Sequence, residues 1–236
     1  MHLKEKWDER ARDNAAYWVL TNKRDWTDDD FFAAGQRDIQ KYVVPFLGSR
    51  DTHTLTALDI GCGLGRLTKA LTPLFKHVIG VDISKEMITQ AKAKHPELDV
   101  RVSEAAPLAL PDASIDYVFS FIVFQHFASK EYALRAFKEV YRVLKPGGIA
   151  QIQVLGVPFN SFRSPYVWIA FNRFWFGLTK IKGIPFPNAG IFGFRGSLFG
   201  PAFKEKEIRT HMSEIGFATV DTWREDHRHL WVYLKK

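Results

Sequence analysis

"TALDIGCGLGRLTKAL", Thr56 to Leu71, places three glycines in five positions directly after an apolar run. Glycine at that density costs chain entropy, so the backbone there must turn with positive φ or lie bare against something. Strand, glycine-rich turn and helix in that order open a βαβ unit, and ligands of parallel sheets sit at such turns. The spacing narrows what the ligand is. A phosphate loop reads GxxxxGK[ST], and no Lys-Ser or Lys-Thr follows these glycines. A dinucleotide fingerprint reads GxGxxG, whereas Gly61, Gly63 and Gly65 alternate as GxGxG. Asp59 stands at the end of the strand, where a carboxylate opposes a pyrophosphate and favours a cationic ligand.

Outward from this turn the chain alternates. "HVIGVDIS" (77–84) reads as a second strand, with Asp82 at its tip and Ser84 as N-cap of the helix that follows. "LDVRVSEA" (98–105) and "IDYVFSFIVF" (115–124) read as third and fourth strands. A helix over 129–144 carries Tyr132, Ala136, Val140 and Val143 at helical spacing, and "LKPGG" (144–148) stops it before a fifth strand, "IAQIQVL". Near the end, "EKEIRTHMSEIG" reads as a helix closed by Gly216. The adjacent runs "FATVDTWRED" and "HRHLWVYLKK" can pair only antiparallel through a short turn. The expected fold is α/β, a doubly wound, mostly parallel seven-stranded sheet ending in an antiparallel hairpin. Four regions follow: an N-terminal helical cap (1–50), a cofactor-binding core (51–156), a helical aromatic and basic insert after the fifth strand (157–203), and a helix and hairpin completing the core (204–236).

Composition bounds the rest. The chain has 236 residues, enough for one elaborated α/β domain, and a formal charge of +7 that admits acidic partners without choosing among them. Cys62 is the only cysteine, so no intrachain disulfide forms, which suits a reducing compartment. The charged start has no signal-peptide core and no apolar run reaches spanning length, so a cytoplasmic protein is expected. His227 and His229 share a strand face, but no carboxylate or cysteine cluster accompanies them, and no metal site is assigned.

Asp82 lies where nucleoside-binding sheets hold ribose hydroxyls, so Asp59 and Asp82 together describe a seat for a nucleoside with positive charge at its other end. The series "LDIGCGLGRLT", "VIGVDISKEMI", "IDYVFSFIVFQHF" and "VLKPGG" resembles the class I, Rossmann-like S-adenosylmethionine-dependent methyltransferases over roughly Thr56 to Leu155, and again in the closing helix and hairpin. That resemblance implies S-adenosyl-L-methionine as cofactor. It implies that Asp59 and the backbone of Gly61, Cys62, Gly63 and Gly65 hold the methionine portion. Asp82 would grip the ribose and Ile83 pack on the adenine. Glu104, where the family usually has Asp, and Ala105 would read the adenine edge, and Phe121 would meet the cofactor.

Methyl transfer from a sulfonium is an in-line displacement, so most of the catalytic work is positioning, with a base needed only if the acceptor loses a proton. His126 in "FQHF" is the candidate base, and Gln125 a group to orient either ligand. The insert is dense in aromatics and contains no Asp or Glu. Its run 165–179 is apolar on most of its circumference, and three burials compete for it: a lid against the N-terminal aromatics of "NAAYWVL" and "DDFF", a homodimer interface, or a peripheral membrane contact. The lid reading makes Tyr17, Trp18, Asn160, Arg163 and Arg195 candidate substrate contacts. The expected function is O- or N-methylation of a small hydrophobic or aromatic acceptor. Methylation of RNA or tRNA, and a non-catalytic cofactor-binding subunit, are the alternatives.

Overall fold

The structure is a computed structural model that describes residues 3–157, 200–226 and 228–236. Asn160, Arg163, Arg195, His227 and the expected helix at 165–179 lie outside the described residues. Seven helices are described: α1 (Leu3–Val19), α2 (Asp28–Tyr42), α3 (Val44–Leu47), α4 (Arg66–Leu71), α5 (Lys85–Lys94), α6 (Lys130–Val143) and α7 (Glu205–Ile215). The strands are β1 (Thr56–Ile60), β2 (His77–Asp82), β3 (Asp99–Val102), β4 (Ile115–Ser120), β5 (Leu144–Gly156), β6 (Ala202–Phe203), β7 (Thr219–Arg224) and β8 (His229–Lys235).

Across the sheet the order is β3-β2-β1-β4-β5-β8-β7, with the short β6 paired parallel to the end of β5. β1 to β5 run parallel, and β8 lies antiparallel between β5 and β7. The mostly parallel sheet and its antiparallel ending are therefore as the alternation implied. Strand order reverses at β1, between β2 and β4, and that switch point places the ligand crevice at the carboxyl ends of these strands.

Both faces of the sheet are covered, which is why its central strands are apolar on both sides. One core layer joins Leu58, Ile60 and Val118 to α6 and α7 through Phe137, Val140, Ile208 and Met212. The other joins Ala57, Tyr117 and Phe119 to α2 and α4 through Ile39, Leu67 and Leu71. Trp231 of β8 is fully buried in this second layer. Its ring stacks on Phe121 at 5.5 Å and lies 5.1 Å from the Tyr42 ring.

Local chemistry sets the boundaries. Thr27 caps α2 by accepting from Asp30 N, and Ser84 caps α5 by accepting from Met87 N. α4 ends at Leu71 because Pro73 cannot extend it. β4 stops at Ser120, short of the expected 124, because Ile122 takes φ +62° and Phe124–His126 wind a 3-10 turn. "LKPGG" does end α6, but it is no separate turn. β5 begins at Leu144, and Gly147 N donates to Lys236 O while Lys236 N donates to Gly148 O. The C-terminal residue supplies those partners from a distant part of the chain.

α1 bends at Asn14, whose side chain accepts from Tyr17 N, and it rests on α5. Asp8 Oδ1 accepts from Ser84 Oγ at 2.6 Å and from Glu86 N at 3.0 Å, so α1 is tied to the start of α5. Phe31 of "DDFF" is 1% exposed, packed with Ala11, Ala15, Leu64 and Met87, and Phe32 meets the His95 ring. These aromatics hold the cap to the core, because α1 rests on α5, α2 rests on α4, and their apolar side chains share one cluster with Leu64 and Met87. Among the described residues, no helix is long and apolar enough to cross a membrane.

Replacing Trp231 by Ala empties the centre of the second layer. Denaturant unfolding should show a loss of about 3–5 kcal/mol, and a loss below about 1 kcal/mol would mean that this layer does not carry the sheet.

Candidate active site

Gly61, Gly63 and Gly65 all have positive φ, at +78°, +53° and +82°, the backbone region where a side chain is strained. Gly61 N and Cys62 N both donate to Val81 O, folding the turn across the end of β2. A Cβ on Gly61 would stand 2.2 Å from Val123 Cγ2, so the turn also abuts the loop after β4. Gly65 plays a different part, because its Cβ would meet Leu98 and it does not line the cleft. It lets α4 pack on the sheet.

Asp82 organises the turn. Its Oδ2 accepts from Gly63 N at 2.9 Å and its Oδ1 from Ser84 N at 2.8 Å. Burial pushes its carboxyl up from the usual range despite those two bonds, which pull it down. Asp59 is 1% exposed and accepts from Thr68 Oγ1 at 2.7 Å. Burial pushes it up to about 6, against the pull of the Thr68 hydroxyl. The Cys62 thiol, buried beside these acids, is raised well above its ordinary value, which removes it as a nucleophile. Two acids held in low dielectric under one loop repel each other and are relieved by a cation.

These elements wall a cleft enclosing about 970 Å³, part of it open to solvent. Of the residues expected from sequence, Gly61, Cys62, Gly63, Asp82, Ile83, Ala105, Phe121, His126 and Trp18 line it together. Others do not reach the wall. Asp59 is turned to Thr68 behind the loop. Glu104 is exposed, accepting from Tyr132 Oη at 3.5 Å. Tyr17 sits beside Trp18 under the Arg24 guanidinium. Gln125 Nε2 lies 3.3 Å from His126 Nε2, outside the lining.

The structure adds lining residues to which the sequence assigns no site role: Trp7, Arg66, Val123, Phe127 and Tyr132. Trp7 meets the His126 ring edge-to-face at 5.3 Å, and Trp7 and Trp18 both stack with the Arg10 guanidinium. Trp7 has no local signal, because only the bend in α1 and its seat on α5 bring it over the cleft. Phe127 stands within "FQHF", so its nearness to His126 is the signal that could have found it.

Bare backbone, the half-buried Asp82 carboxylate, the apolar pair Ile83 and Ala105, and aromatic walls fit a nucleoside that carries positive charge. Among the described residues no group of His, Cys, Asp and Glu could hold a metal ion. His229 Nδ1 lies 2.8 Å from Asp226 Oδ2 in the β7–β8 hairpin.

Comparison with known proteins agrees with this geometry. Residues 58–152 match the methyltransferase domain family. An uncharacterised methyltransferase of Schizosaccharomyces pombe is 42% identical over 180 residues, covering 72% of this chain and 67% of that protein. Phosphoethanolamine N-methyltransferase 2 of Caenorhabditis elegans is 32% identical over 182 residues, covering 72% of this chain and 41% of that one, so the chain spans only part of its relatives' length. Among solved structures, Haemonchus contortus phosphoethanolamine N-methyltransferase 2, with S-adenosylhomocysteine bound, superposes with a TM-score of 0.67 at 16% identity. It covers 100% of this chain and 59% of its own. Magnesium protoporphyrin IX methyltransferase of Synechocystis gives 0.63 at 17% identity, over 99% and 98% of the two chains.

The raised Asp59 has a pH consequence. A carboxyl at about 6 when folded and 3.8 ordinarily holds its proton better in the folded state. Its contribution to stability is complete at low pH and is lost as pH rises through about 6. Asp59→Asn keeps the bond from Thr68 without this loss. Unfolding at pH 4 and pH 7.5 should show the variant gaining on wild type by on the order of 2 kcal/mol at the higher pH. A pH-independent difference would contradict the assignment.

Proposed function

The chain belongs to the class I S-adenosylmethionine-dependent methyltransferases, and on that footing we propose that it methylates oxygen or nitrogen on a small hydrophobic or aromatic acceptor. One observation carries the reading: His126 faces the same cleft as Asp82 and the glycine turn, and Trp7, Trp18 and Phe127 wall that cleft beside it. The nematode relative's name gives a small molecule, phosphoethanolamine, as its acceptor, which supports the class without fixing the compound.

When bound, the donor supplies a methyl group already activated by a sulfonium, so the chain's own residues have to position and shield rather than activate it. Asp82 would accept from the ribose hydroxyls. Ile83 and Ala105 would pack against the adenine, and the bare backbone of Gly61 to Gly63 would let the amino-acid arm lie close. The Trp7 and Phe127 rings exclude water and orient a flat or apolar acceptor. His126 Nδ1 or Nε2 would take the acceptor's proton as the methyl group passes from the sulfonium, which would leave as a neutral thioether, and Trp7 holds the His126 ring. Glu104 and Gln125, off the wall in this structure, act at most at the edge of the site.

Calorimetry on the full chain should show micromolar-range binding of S-adenosylmethionine that is lost in Asp82→Ala. With an acceptor found from a panel of phenols, aromatic amines and amino alcohols, His126→Asn should keep donor affinity and lower kcat by about 10²–10⁴-fold. No donor binding would sink the reading. Binding of RNA that weakens steeply with salt, with no turnover of small acceptors, would move the acceptor to nucleic acid.

A further inference from the structure

His126 is presented by one 3-10 turn, Phe124–His126, entered through Ile122 at φ +62°. Inside the turn His126 N donates to Val123 O at 2.9 Å and Phe127 N to Phe124 O at 3.3 Å. Phe124 and Phe127 bury their rings in the core layer covered by α6 and α7, which anchors the ends of the turn. Between them, Gln125 and His126 take their place from the backbone. Hydrogen bonds of 3-10 geometry are weak, so what packs against such a turn decides where it lies. On the donor side that neighbour is Gly61, whose bare Cα lies against Val123. On the other side it is Gly200.

Gly200 N donates to Gln125 O, the carbonyl that leads into His126. A Cβ on Gly200 would stand 2.6 Å from Phe127 O and 2.7 Å from Gln125 O. Both neighbours are backbone atoms, which cannot rotate aside as a side chain would. Gly200 does not take positive φ, so conformation does not call for glycine here; the close crossing does. The chain just beyond it is fixed. Ala202 and Phe203 pair with Leu155 and Gly156, and Val157 N donates to Phe203 O at 2.9 Å. Phe203 is fully buried, with the Lys130 ammonium over its ring. Lys130 also pairs with Glu207 at 2.7 Å, which fastens the same segment to the start of α6. A segment held this firmly braces the turn rather than following it.

We propose that Gly200 is a positioning residue for His126: its N–H holds the Gln125 carbonyl, and its missing side chain lets the chain cross close enough to press the turn toward Gly61 and the donor seat. The proposal rests on the reading of His126 as the base. Gly200 does not itself line the cleft and acts through the turn. A glycine that only gave the chain freedom to bend would explain neither the bond to Gln125 O nor the close approach to two carbonyls of one turn.

The test follows the His126 ring by NMR in the full chain, with its signal assigned by its absence from His126→Asn. Trp7 stands edge-to-face on that ring, so ring-current shifts report small movements of it. In wild type the Gly200 amide should exchange slowly with solvent, and exchange at the rate of an unbonded amide overturns the proposal without any variant. In Gly200→Ala the His126 signal should shift. With an acceptor from the panel above, kcat should fall roughly 10–100-fold while calorimetry shows donor affinity unchanged. A Gly200→Ala protein that only melts earlier, with the wild-type signal and kcat, overturns the proposal. Should that variant fail to fold, Phe203→Leu loosens the brace without adding an atom at the turn, and an unmoved His126 signal there overturns it equally. If the signal moves in Gly200→Ala while His126→Asn leaves kcat intact, the base assignment fails and the positioning of the ring stands.

Discussion

The hydrogen bond from Gly63 N to the Asp82 carboxylate joins the two strands on which the site is built. It ties the turn after β1 to the tip of β2, and it forms only because Gly63 adopts positive φ and presents its N–H to the neighbouring strand. The other oxygen of Asp82 accepts from Ser84 N, and Ser84 Oγ in turn donates to Asp8 on α1. One carboxylate thereby aligns the glycine turn, the start of α5 and, through Ser84, the helix whose tryptophans wall the cleft. A substitution that breaks this link disturbs all three together.

The same arrangement is electrostatically costly. Asp59 is buried and Asp82 half-buried, and both are pushed upward, because the loss of water outweighs their hydrogen bonds and, for Asp59, the nearby Arg66 charge. Folding tolerates that cost because hydrogen bonds from Thr68, Gly63 and Ser84 offset part of it. A sulfonium offsets more. The site is thus matched to charge on its ligand, and the wide aromatic side of the cleft is matched to an acceptor with little charge.

Much of this is legible in the residues. The alternation of apolar runs and helical spacing specifies the sheet, and two closely spaced final runs require the hairpin. Asp82, Ile83 and the glycines follow from motif and position. Other features depend on distant partners. Asp59 reads as a wall residue, but the Thr68 hydroxyl, on the first turn of α4, holds it behind the loop. Trp7 carries no local signal, since its place over His126 depends on the Asn14 bend and the Asp8 tether. The packing of Phe31 with Met87, and of Phe32 with the His95 ring, likewise depends on distant parts of the chain.

The central claim is that two acids beneath one loop, Asp59 buried and Asp82 half-buried, make this a seat for a cationic nucleoside. Proton exchange on binding reads that directly. S-adenosylmethionine titrated near pH 6 in two buffers of different ionisation enthalpy should release protons as the acids ionise beneath the positive charge. The release should shrink in Asp59→Asn and for the uncharged product. Binding with no proton release, or with uptake, would contradict the account.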